Sequence, residues 1–135
     1  MRNVRLNNPS DVIIYKPHPD VEARLRKGQI PVEQALLYAD IIADSADIIH
    51  LLSEVNEGHT MTSLADFEAL LRGVRVTTYG IPFYAGWGLT TDMESVPERR
   101  TRHVELHSLI YAALIAYPRY FDPVTQQACP VEVVV

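Results

Sequence analysis

Residues 62–80 read TSLADFEALLRGVRVTTYG, and residues 81–88 continue as IPFYAGWG. The first part has the apolar spacing of a helix, the next is a β-branched run typical of a strand, and the last is a loop rich in glycine and aromatic residues. Ser63 suits the N-cap position, because its hydroxyl can accept from a free N–H of the first turn. Gly73 is a typical helix end. The stretch therefore predicts a capped helix that ends at Gly73, followed by a strand over 75–79.

The predicted helix has one apolar face and one end suited to an anion. At about 100° per residue, that face comprises Leu64, Phe67, Leu70 and Leu71. Glu68 falls on the edge of this face and needs a partner or a site, whereas Asp66 points the opposite way. The N–H groups and dipole of a capped N-terminus favour negative charge, so this end is a candidate anion site.

Composition narrows the class of protein. The 135 residues fit one domain, with 47% hydrophobic and 21% charged residues, which is enough for a packed core. A net charge of −5 and a pI of about 5.4 argue against a dedicated nucleic-acid binder, but not against a nucleotide ligand. The single Cys129 cannot form an internal disulfide. No apolar run approaches a membrane span of about 18 residues or a signal peptide. The abrupt start suggests a fragment of a longer chain.

Strand and helix patterns alternate along the chain. Strands are predicted over 11–15, 40–44, 59–62 and 75–79, and helices over 21–27, 32–38, 48–55, 64–72 and 104–116. This order predicts an α/β fold, a Rossmann-like parallel sheet of about four to five strands flanked by helices. We expect residues 1–10 to be a flexible lead-in, residues 11–123 to form the domain and residues 124–135 to be a peripheral tail.

Three marked loops follow predicted strands: Lys16 to Asp20, Thr62-Ser63, and Gly80 to Gly88. If the strands are parallel, their carboxyl ends share one edge, where ligands of such sheets bind. Lys16, His18 and Ser63 would offer donors to a phosphate, and Glu68 would accept from ribose hydroxyls. Tyr79 and Gly80, where the fourth strand ends, complete the candidate substrate-binding set.

Each of these features also has an ordinary structural interpretation. Ser63 can be a plain N-cap and His18 an exposed loop residue. Tyr84 and Trp87 are more often packing residues than base-stacking ones, and Arg99, Arg100 and Arg102 are most often a solvated charge run. The functional interpretation depends on the three loops converging.

Other chemistries have weaker support. His103 and His107 have i, i+4 spacing, but no carboxylate or thiol cluster accompanies them, so a pair on a helix surface is favoured over a metal site. The chain has no G-x-S-x-G, Walker A or C-x-x-C motif, and Gly86-Trp87-Gly88 lacks the remaining spacing of a dinucleotide fingerprint. We expect no metal and no cofactor.

Several runs together resemble the bacterial capsule polysaccharide biosynthesis family of KpsC/LipA type, and the resemblance covers about residues 11–123. The P-F-Y-A-G-W-G-L-T run is the most specific of them. Two positions depart from the family pattern, which has glycine where this chain has Asp66 and a β-branched residue where it has Gly58. The matching runs are Tyr15-Lys16-Pro17-His18-Pro19-Asp20-Val21, Thr62-Ser63-Leu64-Ala65, Phe67 to Gly73, Val76 to Gly80, Pro82 to Thr90, Arg99-Arg100 and Tyr117-Pro118-Arg119-Tyr120.

The resemblance implies one half of a GT-B glycosyltransferase, the half that binds the nucleotide sugar. Members of the family are retaining β-Kdo transferases that take Kdo from CMP-Kdo and build the lipid-linked Kdo linker of the capsule. By this likeness His18-Pro19 and Thr62-Ser63 would hold the CMP phosphate, and Glu68 would face the ribose. Lys16 is added to these phosphate-binding residues because of its position in the loop after the first strand, and the likeness does not supply it. The resemblance places the catalytic nucleophile in the other half, so we expect no catalytic residue here and an inactive fragment.

Two alternatives stay open at this point. One is a non-catalytic nucleotide-binding or assembly module of capsule synthesis or export, and the other is a GT-B transferase with a different nucleotide sugar. The expected partners are CMP-Kdo, a lipid-linked acceptor bound by the rest of the protein and other capsule synthesis or export proteins, with no nucleic acid. We expect a cytoplasmic protein, or one peripheral to the inner membrane in its full-length form.

Overall fold

The computed structural model describes residues 1–18, 21 and 28–134. The chain divides into two compact units, Met1–Glu54 and Val55–Val135. Each unit contains parallel strands and helices, which confirms the predicted α/β class. The predicted helix over 21–27 lies outside the described residues, apart from Val21.

The first unit has a short parallel strand pair. Its elements are α1 (Arg2–Asn7), β1 (Ile14–Tyr15), α2 (Val32–Ala35), β2 (Ile41–Ile42) and α3 (Ile48–Glu54). Ile14 pairs with Ile41 and Tyr15 with Ile42. Both strands form where a β-branched apolar run was identified, and both are shorter than predicted.

The expected lead-in over residues 1–10 contains a helix, Arg2–Asn7. Arg5 anchors this helix through an ion pair of 2.5 Å with Asp40 and a hydrogen bond of 2.9 Å to the carbonyl of Asp11. Asp40 also accepts from the N–H of Ile13 at 2.8 Å. The backbone bond from Ile13, and then Arg5, hold the pKa of Asp40 below its ordinary value. Contacts from a distant part of the unit thus order a segment whose own sequence is polar.

The second unit is built on a three-stranded sheet. β3 (Glu57–Thr60) pairs in parallel with β4 (Arg75–Thr78), and β4 pairs in parallel with β5 (Thr91–Asp92). β5 lies outside the four strands that were predicted from the sequence. α4 (Leu64–Leu71) connects β3 to β4, as the crossover between two parallel strands requires.

α4 packs on the sheet through a face that differs in part from the predicted one. Phe67 and Leu70 are buried as expected, together with Ala69, but Leu64 is 69% exposed and Leu71 is 39% exposed. Val76, Thr78, Tyr84 and Ala85 are also buried in this unit. The apolar face of α4 is therefore centred on Phe67 and Leu70, and its two outer leucines lie at the surface.

The end of the second unit is helical and then extended. α5 (Leu106–Tyr111) continues into a π-helical turn over Ala112–Ala116, within the predicted helix. β6 (Tyr120–Phe121) and β7 (Ala128–Cys129) form an antiparallel pair, and a 3₁₀ turn follows over Val131–Val133. No helix in the described part of the chain is long and apolar enough to cross a membrane.

Candidate functional site

The turn from β3 into α4 is fixed by its own side chains. The Ser63 hydroxyl accepts from the N–H of Ala65 at 3.1 Å, which confirms the predicted N-cap. The Ser63 N–H in turn donates to the Thr60 hydroxyl oxygen at 3.0 Å. These two bonds satisfy the N–H groups of Ser63 and Ala65. They fix the point at which the helix begins.

The carboxyl ends of β3 and β4 meet, as the parallel pairing predicts. The N–H of Tyr79 donates to the carbonyl of Thr60 at 2.7 Å. A Cβ at Gly80 would lie 2.6 Å from the Met61 carbonyl oxygen and 3.2 Å from the Thr62 methyl carbon, so only glycine permits this approach. The structure thus brings together the candidate residues Thr62, Ser63, Tyr79 and Gly80. Their binding roles stay predictions.

Tyr84 connects the aromatic loop to the same turn. Its hydroxyl donates to the Ser63 carbonyl at 2.5 Å, and its side chain is fully buried. The ring stacks on Phe67 with centroids 5.9 Å apart and meets Phe83 edge to face at 5.2 Å. Burial, and then the nearby Asp66, raise the pKa of Tyr84. Tyr84 is therefore a packing residue, as its ordinary interpretation has it, and it also braces the turn.

Asp92 and Arg100 hold the loop over 82–88, and the sequence analysis identified neither role. The carboxylate of Asp92 accepts from the hydroxyls of Thr78 at 2.9 Å and Thr90 at 2.6 Å, and from the N–H of Gly86 at 2.8 Å. The threonine-rich run just before Asp92 was the available signal, since β-branched residues favour strands.

Arg100 clamps the loop from the other side. Its guanidinium donates to the carbonyls of Pro82 at 2.8 Å and Ala85 at 2.6 Å, and lies 5.5 Å from the centre of the Trp87 ring. Such a cation–π contact adds to the attraction between Arg100 and the loop. The description of Arg100 as part of a solvated charge run is therefore wrong.

Asp66 lies against β3, which corrects the expectation that it points away from the packed face. A Cβ added at Gly58 would overlap with the Asp66 carboxylate oxygen, so the missing side chain at 58 provides the space for this group. Burial raises the pKa of Asp66, while a hydrogen bond with the Thr60 side chain and the nearby His59 oppose the rise. The two departures from the family pattern are thus in direct contact and fit one another.

We expect Asp66→Asn to become progressively more favourable to stability as pH rises. A carboxyl with a raised pKa binds its proton more tightly in the folded than in the unfolded chain, so stability falls as pH rises from the ordinary value of 3.8 through the folded pKa. Asparagine does not titrate and keeps a similar shape. Urea unfolding between about pH 4 and 7.5 should show the unfolding free energy of the variant rising relative to that of the parent as pH increases. A difference that is independent of pH would contradict the raised pKa.

Glu68 already has a partner. Its carboxylate pairs with Arg72 at 2.6 Å, and Arg72 also donates to the Glu68 carbonyl at 3.2 Å. The Glu68 side chain is about half exposed, at 46%. An exposed i, i+4 pair contributes only about 0.3–0.5 kcal/mol, so a ligand hydroxyl can compete for this carboxylate.

Lys16 and His18 lie in the first unit. The Lys16 ammonium donates to the carbonyls of Asp44 at 3.0 Å and Ala43 at 3.4 Å. His18 is exposed, and its carbonyl accepts from the N–H of Val21 at 2.9 Å. Pro19, the other half of the candidate His-Pro pair, lies outside the described residues. The convergence of these residues with Ser63 stays a prediction.

The histidines do not form a metal site within residues 1–18, 21 and 28–134, where no group of three or more metal-ligating side chains occurs. His107 is on α5 and lies 3.3 Å from Glu105. His103 precedes α5 and packs against Gly88. The two histidines are therefore not a pair on one helix.

The chain matches a known protein family and several named relatives. The family model described as "Capsule polysaccharide biosynthesis protein" matches residues 1–120. The chain is 54% identical over 132 residues, 98% of its length, to the capsule polysaccharide modification protein LipA of Neisseria meningitidis serogroup B, and covers 19% of that protein. It is 43% identical over 120 residues, 89% of its length, to the lipopolysaccharide-processing protein LpsZ of Rhizobium meliloti, and covers 27% of that protein.

Two solved structures are also similar to this chain. Over 98% of its length, the chain superimposes on the KpsC beta Kdo 2,7 transferase of Thermosulfurimonas dismutans with a TM-score of 0.83 and 38% identity, covering 42% of that chain. It also matches the KpsC beta Kdo 2,4 transferase of the same organism, with a TM-score of 0.78 and 33% identity, over 98% of this chain and 41% of that one. The chain thus spans about a fifth of LipA and two fifths of the KpsC structures. On the strength of the family model and these relatives, the chain belongs to the capsule polysaccharide biosynthesis family.

Proposed function

We propose that this chain is the donor-binding half of a capsule polysaccharide glycosyltransferase, which takes Kdo from CMP-Kdo and transfers it to the lipid-linked Kdo linker of the capsule. The observation that carries the proposal is the likeness, over almost the whole chain, to two solved Kdo transferases. In this proposal the nucleophile belongs to the rest of the enzyme. A cytoplasmic location and capsule synthesis or export proteins as partners are further expectations.

The turn from β3 into α4 is the proposed phosphate site. The helix dipole and the N–H groups of the turn other than those of Ser63 and Ala65 favour an anion, and the Ser63 and Thr62 hydroxyls are potential donors beside them. In a transfer reaction CMP is the leaving group, and negative charge grows on its phosphate as the bond to the sugar breaks. Donors fixed before the reaction stabilise that charge without reorganisation.

The remaining candidate residues complete the donor site in this proposal. Lys16 and His18-Pro19 are further candidate residues for the phosphate, and the Lys16 ammonium has donor capacity beyond its two carbonyl partners. Glu68 exchanges Arg72 for a ribose hydroxyl. Tyr79 and Gly80 shape the wall of the site.

A nucleotide titration of the ¹⁵N-labelled chain tests this assignment. CMP should shift the amide signals of residues 62–65 and of His18, and UMP and GMP should shift them less. No change in these signals at millimolar CMP would remove the donor-binding claim. Equal responses to all three nucleotides would favour a transferase with a different donor.

Ser63→Asp should weaken CMP binding and leave the fold intact. Aspartate caps a helix about as well as serine, so the unfolding free energy should change by less than about 0.5 kcal/mol. Its negative charge would lie beside the phosphate, and we expect at least about tenfold weaker binding. Calorimetry measures the affinity and urea unfolding the stability.

Ser108→Asp is the matched control, because it adds the same charge to the first turn of α5, at an exposed position of the same unit. It should bind CMP as the parent does. Parent-like CMP affinity in Ser63→Asp would exclude a phosphate contact at this turn.

A further inference from the structure

We propose that Tyr84 is a positioning residue for the donor phosphate: its hydroxyl acts through the Ser63 carbonyl to fix the turn from β3 into α4, and Arg100 holds the loop that carries it. The inference rests on the proposed function, since it concerns the same turn. It goes beyond the packing role of the Tyr84 ring, because it gives the hydroxyl an effect on ligand affinity that is separable from its effect on stability.

The peptide group between Ser63 and Leu64 is fixed at its carbonyl. The Tyr84 hydroxyl lies 2.5 Å from the Ser63 carbonyl oxygen, and a carbonyl can only accept, so Tyr84 is the donor. A trans peptide group is planar, and its N–H points to the side opposite its carbonyl. The N–H of this group belongs to Leu64. A bond that fixes the Ser63 carbonyl therefore also fixes the direction of the Leu64 N–H.

The other backbone donors of the turn are already used. The Ser63 N–H donates to the Thr60 hydroxyl oxygen at 3.0 Å, and the Ala65 N–H donates to the Ser63 hydroxyl oxygen at 3.1 Å. Leu64 is the first residue of α4, so its N–H has no acceptor within the helix. If a phosphate binds at this turn, the Leu64 N–H is thus a donor that it can use, and Tyr84 sets the direction of that donor.

The loop that carries Tyr84 is held on both sides of this residue. One guanidinium nitrogen of Arg100 donates to the carbonyls of Pro82 at 2.8 Å and Ala85 at 2.6 Å, which lie before and after Tyr84 in the chain. The Asp92 carboxylate accepts from the N–H two residues after Tyr84 at 2.8 Å. The Tyr84 side chain is also fully buried. Its hydroxyl is therefore presented to the Ser63 carbonyl by a loop with little freedom to move.

The test compares CMP affinity, measured by calorimetry, among variants of the whole chain. Tyr84→Phe keeps the buried ring and removes only the hydroxyl. It should weaken CMP binding about fivefold to tenfold, the effect of losing one orienting hydrogen bond. Tyr120→Phe is the matched control, because the Tyr120 hydroxyl also donates to a backbone carbonyl, that of Leu114, at 2.5 Å in the same unit. This control should bind CMP within about twofold of the parent.

A spectroscopic measurement separates positioning from a general loss of stability. In Tyr84→Phe the ¹³C signal of the Ser63 carbonyl should move, because this carbonyl loses a donor. The shift of the Leu64 amide signal on addition of CMP should be smaller than in the parent. Both signals should stay as in the parent in Tyr120→Phe. A role in stability alone would leave the response of the Leu64 amide to saturating CMP unchanged.

A double variant tests the part assigned to Arg100. Arg100→Met removes both loop bonds and keeps an unbranched apolar side chain, and it should also weaken CMP binding. Arg100→Met combined with Tyr84→Phe should bind no more weakly than the weaker single variant, because both interrupt one connection. Additive losses would mean that Arg100 acts by another route, and would overturn its part. If Arg100→Met does not fold, Tyr84→Phe and Tyr120→Phe still decide the role of Tyr84.

The outcomes distinguish this inference from the proposed function. An unmodified chain that fails to bind CMP removes the proposed function and this inference with it. CMP binding by the parent, with unchanged affinity in Tyr84→Phe, removes the positioning role alone. Equal weakening in Tyr84→Phe and Tyr120→Phe would show that any lost hydroxyl bond in this unit has the same effect, and would also overturn the inference.

Discussion

Replacement of Tyr84 by alanine should lower the unfolding free energy by about 3–5 kcal/mol, the usual cost of removing a fully buried aromatic side chain. The ring is 0% exposed and lies between Phe67 and Phe83, so its loss leaves a cavity that neighbouring backbone cannot easily fill. Domains of this size are stable by only about 5–15 kcal/mol, so the variant should be close to unfolded at 37 °C. Urea unfolding followed by circular dichroism measures the change.

Two further variants show where the loss arises. Tyr84→Phe keeps the ring but leaves the Ser63 carbonyl without its donor, and should cost about 1–2 kcal/mol. Tyr117→Ala removes a tyrosine that is 88% exposed and should change stability by less than about 0.5 kcal/mol. A loss below about 1.5 kcal/mol in Tyr84→Ala would mean that the aromatic loop packs less tightly than the structure indicates.

The features that the sequence predicted well depend on local chemistry. Ser63 caps α4 because its own hydroxyl reaches an N–H two residues ahead. Gly73 ends the helix with a φ of 74°, a conformation that glycine adopts without steric cost. The meeting of residues 62–63 with residues 79–80 follows from parallel pairing, which the alternation of strands and helices indicated.

The features that it missed depend on contacts between distant residues. Asp92 receives bonds from Thr78, Gly86 and Thr90, and the threonines just before it indicate a strand but not the bonds from Thr78 and Gly86. A helical projection placed Asp66 opposite the apolar face. The projection cannot show that the absence of a side chain at Gly58 leaves space for the Asp66 carboxylate against β3. The ion pair of Arg5 with Asp40 explains in the same way why α1 is ordered.

A single methyl group at the loop glycine Gly86 should strongly lower the unfolding free energy. Its φ of 80° costs an L-residue about 1–2 kcal/mol. A Cβ there would also lie 2.9 Å from the Val96 Cβ and 3.1 Å from the Arg100 Cδ, and such crowding typically costs about 1–3 kcal/mol. Gly86→Ala should therefore lose about 2–5 kcal/mol of unfolding free energy.

Gly73→Ala is the matched control for this variant. Its φ of 74° imposes the same kind of strain, yet a Cβ there would meet nothing within 4 Å, so only about 1–2 kcal/mol should be lost. The difference between the two variants isolates the crowding against Val96 and Arg100, the residue whose bonds to the Pro82 and Ala85 carbonyls hold the loop. Equal losses in urea unfolding would mean that these two side chains give way to a methyl group without cost. A larger loss at Gly86 would show that the packing of Val96 and Arg100 on the loop is rigid.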